Sequence, residues 1–369
     1  MAHESPGSTW TFHPYEMALV GYQNSGKTTL AAQLVPRLGL DLAYVKRDAH
    51  RFDMDKPGKD THTLAAAGAR TVFISDPHHT ATIRQSSDPF LGRLDFLEDD
   101  AVLIEGHKTS SVPKIVVLDA EMTIAADPAF RAQSPLAAVG PWVEPPSLPW
   151  PVPYFHRDDA PAVAAFIRSY WDTLTAQRPL LGLVLTGGKS SRMGEDKAAL
   201  AYHGEEESRR VFGLLEGFCS QVFVSCRADQ ADLPGRRGLP QIHDVLLDKG
   251  PLSGILSAFE ARPDASWLVA ACDLPRLDRE VLAALIAGRN PFKVATAFRG
   301  HKDLPEPLCA IYEPKARARL WQFLAAGYDC PRKMMIHSAV RVLEPLAGDR
   351  LRNVNRQDER QGVLHDLGR

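Results

Sequence analysis

Gly21, Gly26, Lys27 and Thr28 lie in the segment GYQNSGKT (21–28), which has the G-x-x-x-x-G-K-[ST] spacing of a loop that wraps phosphate. The two glycines permit a tight turn, so successive backbone N–H groups can converge on phosphate oxygens. Asn24, Ser25 and Thr29 belong to the same phosphate-binding set. Lys27 would neutralise the β- and γ-phosphates, and the Thr28 hydroxyl would ligate Mg²⁺. A helix starting near Lys27 adds the positive end of its dipole. Glu105 ends the apolar run DAVLIEG (100–106), where an acid beside a phosphate loop can hold Mg²⁺ through water. The charged stretch Lys46, Arg47, Asp48, His50, Asp53, Asp55, Lys56, Lys59, Asp60 follows a second strand and reads equally well as a functional loop or a solvated one. No N-K-x-D segment follows, so the base preference of this half is not written in it. With no evident catalytic Gln or arginine finger, slow or absent nucleotide hydrolysis is expected.

A second loop, LTGGKSSRMGEDK (185–197), carries different logic. Gly187 and Gly188 let backbone approach a base or ribose. Arg192 and Lys197 bring two cations to a triphosphate and would stabilise charge on the α-phosphate and on departing pyrophosphate. Asp273 ends the strand-like run SWLVAACD and precedes Leu274-Pro275, so the acid projects from a sheet edge where Mg²⁺ and substrate would sit. Capping of the next helix falls to Asp278 instead. Asp244, in QIHDVLLDKGPLSGILSAF, can accept both N1–H and N2–H of a guanine, with Asp248 as the rival acid. Asn353 and Asn355 set two amides on one face of an extended segment, suited to metal or phosphate contact or to a plain turn.

These groups need sheets to hold them. The chain has 369 residues, enough for two or three domains. Predicted strands are 17–21, 41–46, 70–75, 100–106 and 113–119 in the first half; LGLVLT, 221–226, 266–273 and 293–298 follow in the second. Their alternation with helical patterns predicts two doubly wound three-layer α/β/α domains with mainly parallel sheets: a P-loop NTPase-like domain over 1–175 and a Rossmann-like domain over 176–369. The run PWVEPPSLPWPVP (141–153) reads as a loop inside the first domain. DDAPAVAAFIRSYWDTL (158–174) reads as its last helix, capped by Asp158 or Asp159, with the linker at about 175–179. Hydrophobic residues at 44% and charged residues at 24% exclude disorder throughout. A net charge of −2 argues against non-specific nucleic-acid binding. No apolar stretch is long enough to span a membrane, and the start lacks a signal pattern, so a cytoplasmic location is expected. The five cysteines are odd in number with no C-x-x-C pair, which favours buried reduced thiols over disulfides or zinc. The scattered histidines show no metal-helix spacing.

The first half, over roughly 15–172, resembles the molybdopterin-guanine dinucleotide biosynthesis adaptor family (MobB-type). The likeness rests on GYQNSGKTTL, YVKRDAHRFDMDKPGKDTHTLAAAGA (44–69) and VLIEGHKTSSVPKIVV (102–117). It implies a GTP-binding partner of a guanylyltransferase. The second half, about 179–369, resembles the molybdenum cofactor guanylyltransferase family (MobA-type) through LTGGKSSRMGEDKAAL, HDVLLDKGPLSGI, VAACDLP, EPLCAIY (306–312) and NVNRQDE (353–359). That resemblance assigns Leu185, Thr186, Gly187, Lys197, Asp244 and Asp273 to GTP contact, with Asp273 as the Mg²⁺ ligand. Two positions depart from the family pattern: Thr186 stands where Ala is usual and Ser225 where Asn is frequent. The Gly-Gly pair resembles the GTP-using branch. Together the likenesses imply transfer of GMP from GTP to Mo-molybdopterin. Molybdenum-insertion proteins and apo-molybdoenzymes or their chaperones are the further partners implied. The alternative is a CTP- or sugar-phosphate-using nucleotidyltransferase joined to a non-catalytic P-loop docking module.

Overall fold

The runs EMALV, AVLIE and KIVV are apolar on both faces or buried throughout, and such strands need cover on both sides, which a parallel sheet flanked by helices provides. The computed structural model describes residues 13–46, 55–85, 94–186, 202–347, 349–354 and 361. The chain forms two compact units. One comprises Glu16–Phe96 and Val102–Val163; the other comprises His13–Tyr15, Leu97–Ala101 and the residues from Ala164 onward.

The first unit contains β1 (Glu16–Val20), α1 (Lys27–Leu38), β2 (Leu42–Lys46), α2 (Asp60–Ala66), β3 (Thr71–Ser75), β4 (Thr80–Arg84), β5 (Ala101–Glu105) and β6 (Lys114–Val117). Two single-turn helices follow, α3 (Thr123–Ala126) and α4 (Pro128–Arg131), then β7 (Ala137–Gly140), β8 (Tyr154–His156) and the start of α5 (Ala160–Gln177). Its sheet has the order β2-β5-β1-β6-β7-β8, and the paired strands β5, β1, β6, β7 and β8 are parallel. Both sides of the sheet are buried: Ala18 and Val20 on one, Met17 and Leu19 on the other. Asp159 caps α5 by accepting the N–H of Ala162 at 3.1 Å.

One strand expected in this parallel sheet lies elsewhere. The run at 70–75 becomes β3, which pairs antiparallel with β4 as a separate two-stranded sheet. The turn explains it. Asp76 accepts the N–H groups of His78 and His79, and its own N–H donates to the carbonyl of His79, which reverses the chain at once.

The second unit's sheet is built from β9 (Leu180–Leu185), β10 (Val222–Cys226), β11 (Gln241–His243), β12 (Ser266–Ala271), β13 (Ala295–Arg299), β14 (Pro305–Tyr312) and β15 (Val340–Leu343). Its helices are α6 (Glu207–Glu216), α7 (Pro251–Ala261), α8 (Arg279–Ala287), α9 (Ala316–Ala325) and α10 (Pro331–Ile336). The order is β11-β10-β9-β12-β14-β13-β15. Strands β11, β10, β9 and β12 run parallel, whereas β14 lies antiparallel to both β12 and β13. The sheet is therefore mixed. The EPLCAIY segment supplies the antiparallel strand, which strand–helix alternation does not anticipate. Four cysteines lie in the fold interior or half-buried, while Cys330 is exposed. Among the described residues, no helix is long and apolar enough to cross a membrane.

Candidate functional site

In the first unit β1 runs into the loop at Gly21. A side chain there would press on the Val117 carbonyl at 2.4 Å and the Ser25 hydroxyl at 2.5 Å, so only glycine lets the loop pass. Asn24 (φ 62°) and Gly26 (φ 91°) take left-handed backbone and curl the chain into α1, which starts at Lys27. Lys27 Nζ donates to the Tyr22 carbonyl at 2.6 Å. Burial lowers its affinity for a proton; Glu105 opposes that and the cations of Lys108 and Lys46 add to it. A bound phosphate would meet the same loop with this ammonium already in place.

Glu105, at the carboxyl end of β5, is buried. Thr28 donates its hydroxyl to Glu105 Oε2 at 2.8 Å, Tyr44 donates to the same oxygen, and Lys46 lies 3.5 Å from Oε1. Burial works to raise the Glu105 carboxyl, but the Tyr44 and Thr28 hydroxyls with the Lys46 and Lys27 charges outweigh it and hold it below the usual range. A hydroxyl and an ionised carboxylate set side by side are hard oxygen donors of the kind Mg²⁺ takes. Of the charged stretch after β2, Lys46 joins this group; Arg47, Asp48, His50 and Asp53 lie outside the described residues.

In the second unit the carboxyl ends of four adjacent parallel strands form one edge. Leu185 closes β9 and accepts from Cys272 N at 3.2 Å, which fixes Asp273 just beyond β12 next to the start of the second loop. The Asp273 carbonyl in turn accepts from Val354 N at 3.1 Å, which brings Asn353 to the same edge. Asn353 Oδ1 is buried with no hydrogen-bond partner among the described residues. An unsatisfied amide oxygen in the segment tied to Asp273 suits a hard cation, because such a buried acceptor is costly until something satisfies it. Asp278 caps α8 through Val281 N at 2.9 Å, as its position suggested, which leaves Asp273 for the edge. Gly187, Gly188, Arg192, Lys197 and Asn355 lie outside the described residues.

On the far side of β9, Asp244 follows β11. Its N–H donates to the Cys226 carbonyl at 2.9 Å, and its Oδ1 accepts the Ser225 hydroxyl at 2.8 Å. Burial raises the Asp244 carboxyl, while Ser225, Arg227 and His243 hold it down. Asp248 sits on an exposed left-handed turn instead. A carboxylate can accept both guanine donors, but its protonated form cannot. If Asp244 is the guanine acceptor that the resemblance implies, the KM for GTP rises as pH falls through this raised titration range. In Ser225→Ala, which removes a hydroxyl that holds the carboxyl down, that acid limb should move to higher pH; a pH profile with the limb unmoved would refute the pairing.

The helix behind this edge must come unusually close. A side chain on Gly254 of α7 would meet Ser225 Oγ at 2.3 Å and Leu185 Cδ2 at 2.7 Å. Ser257 of the same helix accepts from Val245 N at 2.9 Å, and Ser253 donates to the Leu246 carbonyl at 2.5 Å. Gly254→Ala is expected to cost about 1–3 kcal/mol by overpacking and to weaken GTP binding, as denaturant unfolding and nucleotide titration would register.

Three groups escape a reading by motif. Arg236 is fully buried and donates through Nε to Thr186 Oγ1 at 3.0 Å and through Nη2 to the Thr186 carbonyl at 2.6 Å. It pins the entrance to the second loop, and Thr186 passes the contact on by donating to the Ser225 carbonyl at 2.7 Å. The threonine that departs from the family pattern is thus the arginine's partner. Glu306 is buried and paired with Arg332 at 2.9 Å; burial raises its carboxyl, and the Asp273 charge pushes the same way. Tyr44 is the third.

Residues 182–361 match the sequence model of the MobA-like NTP transferase domain, and residues 17–139 match that of molybdopterin guanine dinucleotide synthesis protein B. A molybdenum cofactor biosynthesis bifunctional protein from Synechocystis sp. is 37% identical over 171 residues, 46% of this chain and 49% of that protein, so the chain spans about half of that relative's length. A molybdenum cofactor guanylyltransferase from Xanthomonas euvesicatoria pv. vesicatoria is 34% identical, over 42% of this chain and 76% of that one. A probable molybdenum cofactor guanylyltransferase from Nostoc sp. is 31% identical, over 51% of this chain and 93% of that one.

Proposed function

We infer the reaction from the family to which this chain belongs, the molybdenum cofactor guanylyltransferases, here preceded by a domain of the synthesis protein B type. The enzyme half, taken as residues 176–369, transfers GMP from GTP to the terminal phosphate of molybdopterin-bound molybdenum. An oxygen of that phosphate bonds to the α-phosphorus of GTP, the bond from the α-phosphorus to the bridging oxygen of the β-phosphate breaks, and pyrophosphate leaves with that electron pair. The attacking oxygen is already anionic, so no side-chain nucleophile is required. The task of the chain is positioning and charge neutralisation.

The observation that carries this reading is the shared edge. Thr186, Asp244 and Asp273 follow the parallel strands β9, β11 and β12, Ser225 lies in β10 between β9 and β11, and the Val354 N–H on the Asp273 carbonyl ties the segment of Asn353 to the same edge. This is where doubly wound sheets hold ligands. Asp244 accepts the guanine donors, Gly187 and Gly188 admit the nucleoside, and Arg192 and Lys197 bear on the triphosphate. Asp273 and Asn353 would hold Mg²⁺, which when bound withdraws charge from the phosphates. In residues 1–175, the loop 21–29 binds a nucleotide, with Thr28 and Glu105 facing its Mg²⁺, and this module assists without strong catalysis of its own. Its partners are the molybdopterin cofactor and the proteins that insert molybdenum or receive the product, all reached in the cytoplasm.

The test is incubation of the full chain with Mg²⁺, molybdopterin-bound molybdenum and either GTP or CTP, followed by mass analysis of the extracted cofactor. A GMP adduct with equimolar pyrophosphate is expected from GTP. A product from CTP alone would transfer the assignment to a cytidine-using enzyme.

A further inference from the structure

The turn that leaves β12 at Asp273 is gripped by side chains to which the proposed chemistry gives no part. Arg210 of α6 donates through Nη2 to the Leu274 carbonyl at 2.9 Å and through Nη1 to the Leu277 carbonyl at 2.7 Å. His203 donates through Nε2 to the Pro275 carbonyl at 2.8 Å. Three of the four carbonyls at 274–277 are thus held from one side. Arg210 is itself fixed by Glu207, whose Oε2 accepts from Nε at 2.9 Å and from Nη2 at 2.8 Å. Glu207 is fully buried and also accepts the backbone N–H of Tyr202. The pair therefore touches both the Asp273 turn and the residues that follow the second loop.

We propose that Glu207 and Arg210 are positioning residues for GMP transfer, which hold the Asp273 carboxylate where the metal of the nucleotide meets it. The inference rests on Asp273 being that metal's ligand, the role given to it in the proposed function.

Stability alone is a poor reason for this pair. Taking a carboxylate and a guanidinium out of water is costly, and apolar side chains of similar volume often serve a core as well or better. What an apolar pair cannot supply is directed hydrogen bonds, and two of those made by Arg210 end on the turn that begins at Asp273. The planar guanidinium spans two carbonyls and a carboxylate in one rigid fork, whereas an ammonium is a point donor. The turn is also tied from the C-terminal segment. The Asp273 carbonyl accepts Val354 N at 3.1 Å, and Asp278 Oδ2 accepts Arg350 Nη1 at 3.0 Å. Held on both sides, the backbone of Asp273 is set before a metal arrives. A shift of about 1 Å in such a constellation can cost about 100-fold in rate.

The experiment uses the full chain and two variants. Arg210→Lys keeps a cation beside Glu207 but gives up the fork. Glu207→Leu combined with Arg210→Met removes both charges together, so no buried ion is left unpaired. Pyrophosphate release is measured against Mg²⁺ and against GTP. Mn²⁺ binding in the presence of GTP is followed by electron paramagnetic resonance, which needs no turnover. In both variants the maximal rate and the metal affinity are expected to fall about 10–100-fold, as when the partners that orient a metal ligand are lost. The KM for GTP at saturating metal should change far less, because Asp244 lies on the other side of β9. Excess Mg²⁺ should restore part of the rate in Arg210→Lys but not in Asp273→Ala, which lacks the ligand itself. Unchanged metal affinity in a folded variant overturns the positioning role. So does a KM for GTP that rises as much as the metal constant, or failure of both variants to fold, since either marks the pair as structural. Full transfer by Asp273→Ala overturns instead the metal reading beneath it.

Discussion

Asp273→Ala is expected to lower GMP transfer by about three orders of magnitude or more. Metal stabilisation of a phosphoryl transition state is worth several kcal/mol, and each 1.36 kcal/mol is tenfold in rate. Fold damage should not confound the result. The tie between Asp273 and Val354 runs through the backbone carbonyl, which alanine retains. The substitution also has a second readout. The Asp273 charge is one cause of the raised Glu306 carboxyl, so its removal should let Glu306 titrate lower, observable by carboxyl NMR. Pyrophosphate release measured with saturating Mg²⁺ and GTP decides the matter. Full activity in Asp273→Ala would remove the metal role from this residue, and a Glu306 titration shift alongside full activity would show that the charge had been present but idle.

The parts of this site legible in the sequence are those where one local grammar fixes both backbone and chemistry. GYQNSGKT needs a strand before it and a helix after it, and β1 and α1 stand there. SWLVAACD-LP is an apolar strand stopped by proline, so the place of Asp273 follows. What stayed hidden depends on contacts distant in sequence. Arg236 lies in LPGRRGLP, which reads as a solvated turn, yet it is fully buried because Thr186, fifty residues earlier, turns a hydroxyl and a carbonyl toward it. Glu306 opens an apolar run as though it were a surface acid, and the Leu308 N–H together with Arg332 makes its burial tolerable. The strands β7 and β8 are four and three residues long and flank a proline-rich stretch, too short for periodicity to register. The run at 70–75 is apolar enough for a buried strand, but Phe73 and Ile74 are exposed on the hairpin, because nothing in a single strand's composition says which sheet will receive it.

Lys27→Ala separates the two halves of the proposed function. The ammonium is held on the Tyr22 carbonyl at 2.6 Å, and in the function proposed above it is the point charge for the β- and γ-phosphates. Losing charge-assisted hydrogen bonds of this kind is expected to weaken nucleotide binding by the first half about 10–100-fold. The same substitution should leave GMP transfer within about threefold when substrates saturate, since Lys27 belongs to the first unit and the transfer site to the second. Two measurements on the full chain suffice: nucleotide titration, and pyrophosphate release with the molybdopterin acceptor. A third observable checks the character of the module. GTP conversion to GDP should be the same in parent and variant, because a binding module contributes no hydrolysis for Lys27 to lose. Steady hydrolysis that disappears with Lys27 would make the first half an NTPase. The energy source for cofactor delivery would then lie in loop 21–28 rather than in the transfer reaction.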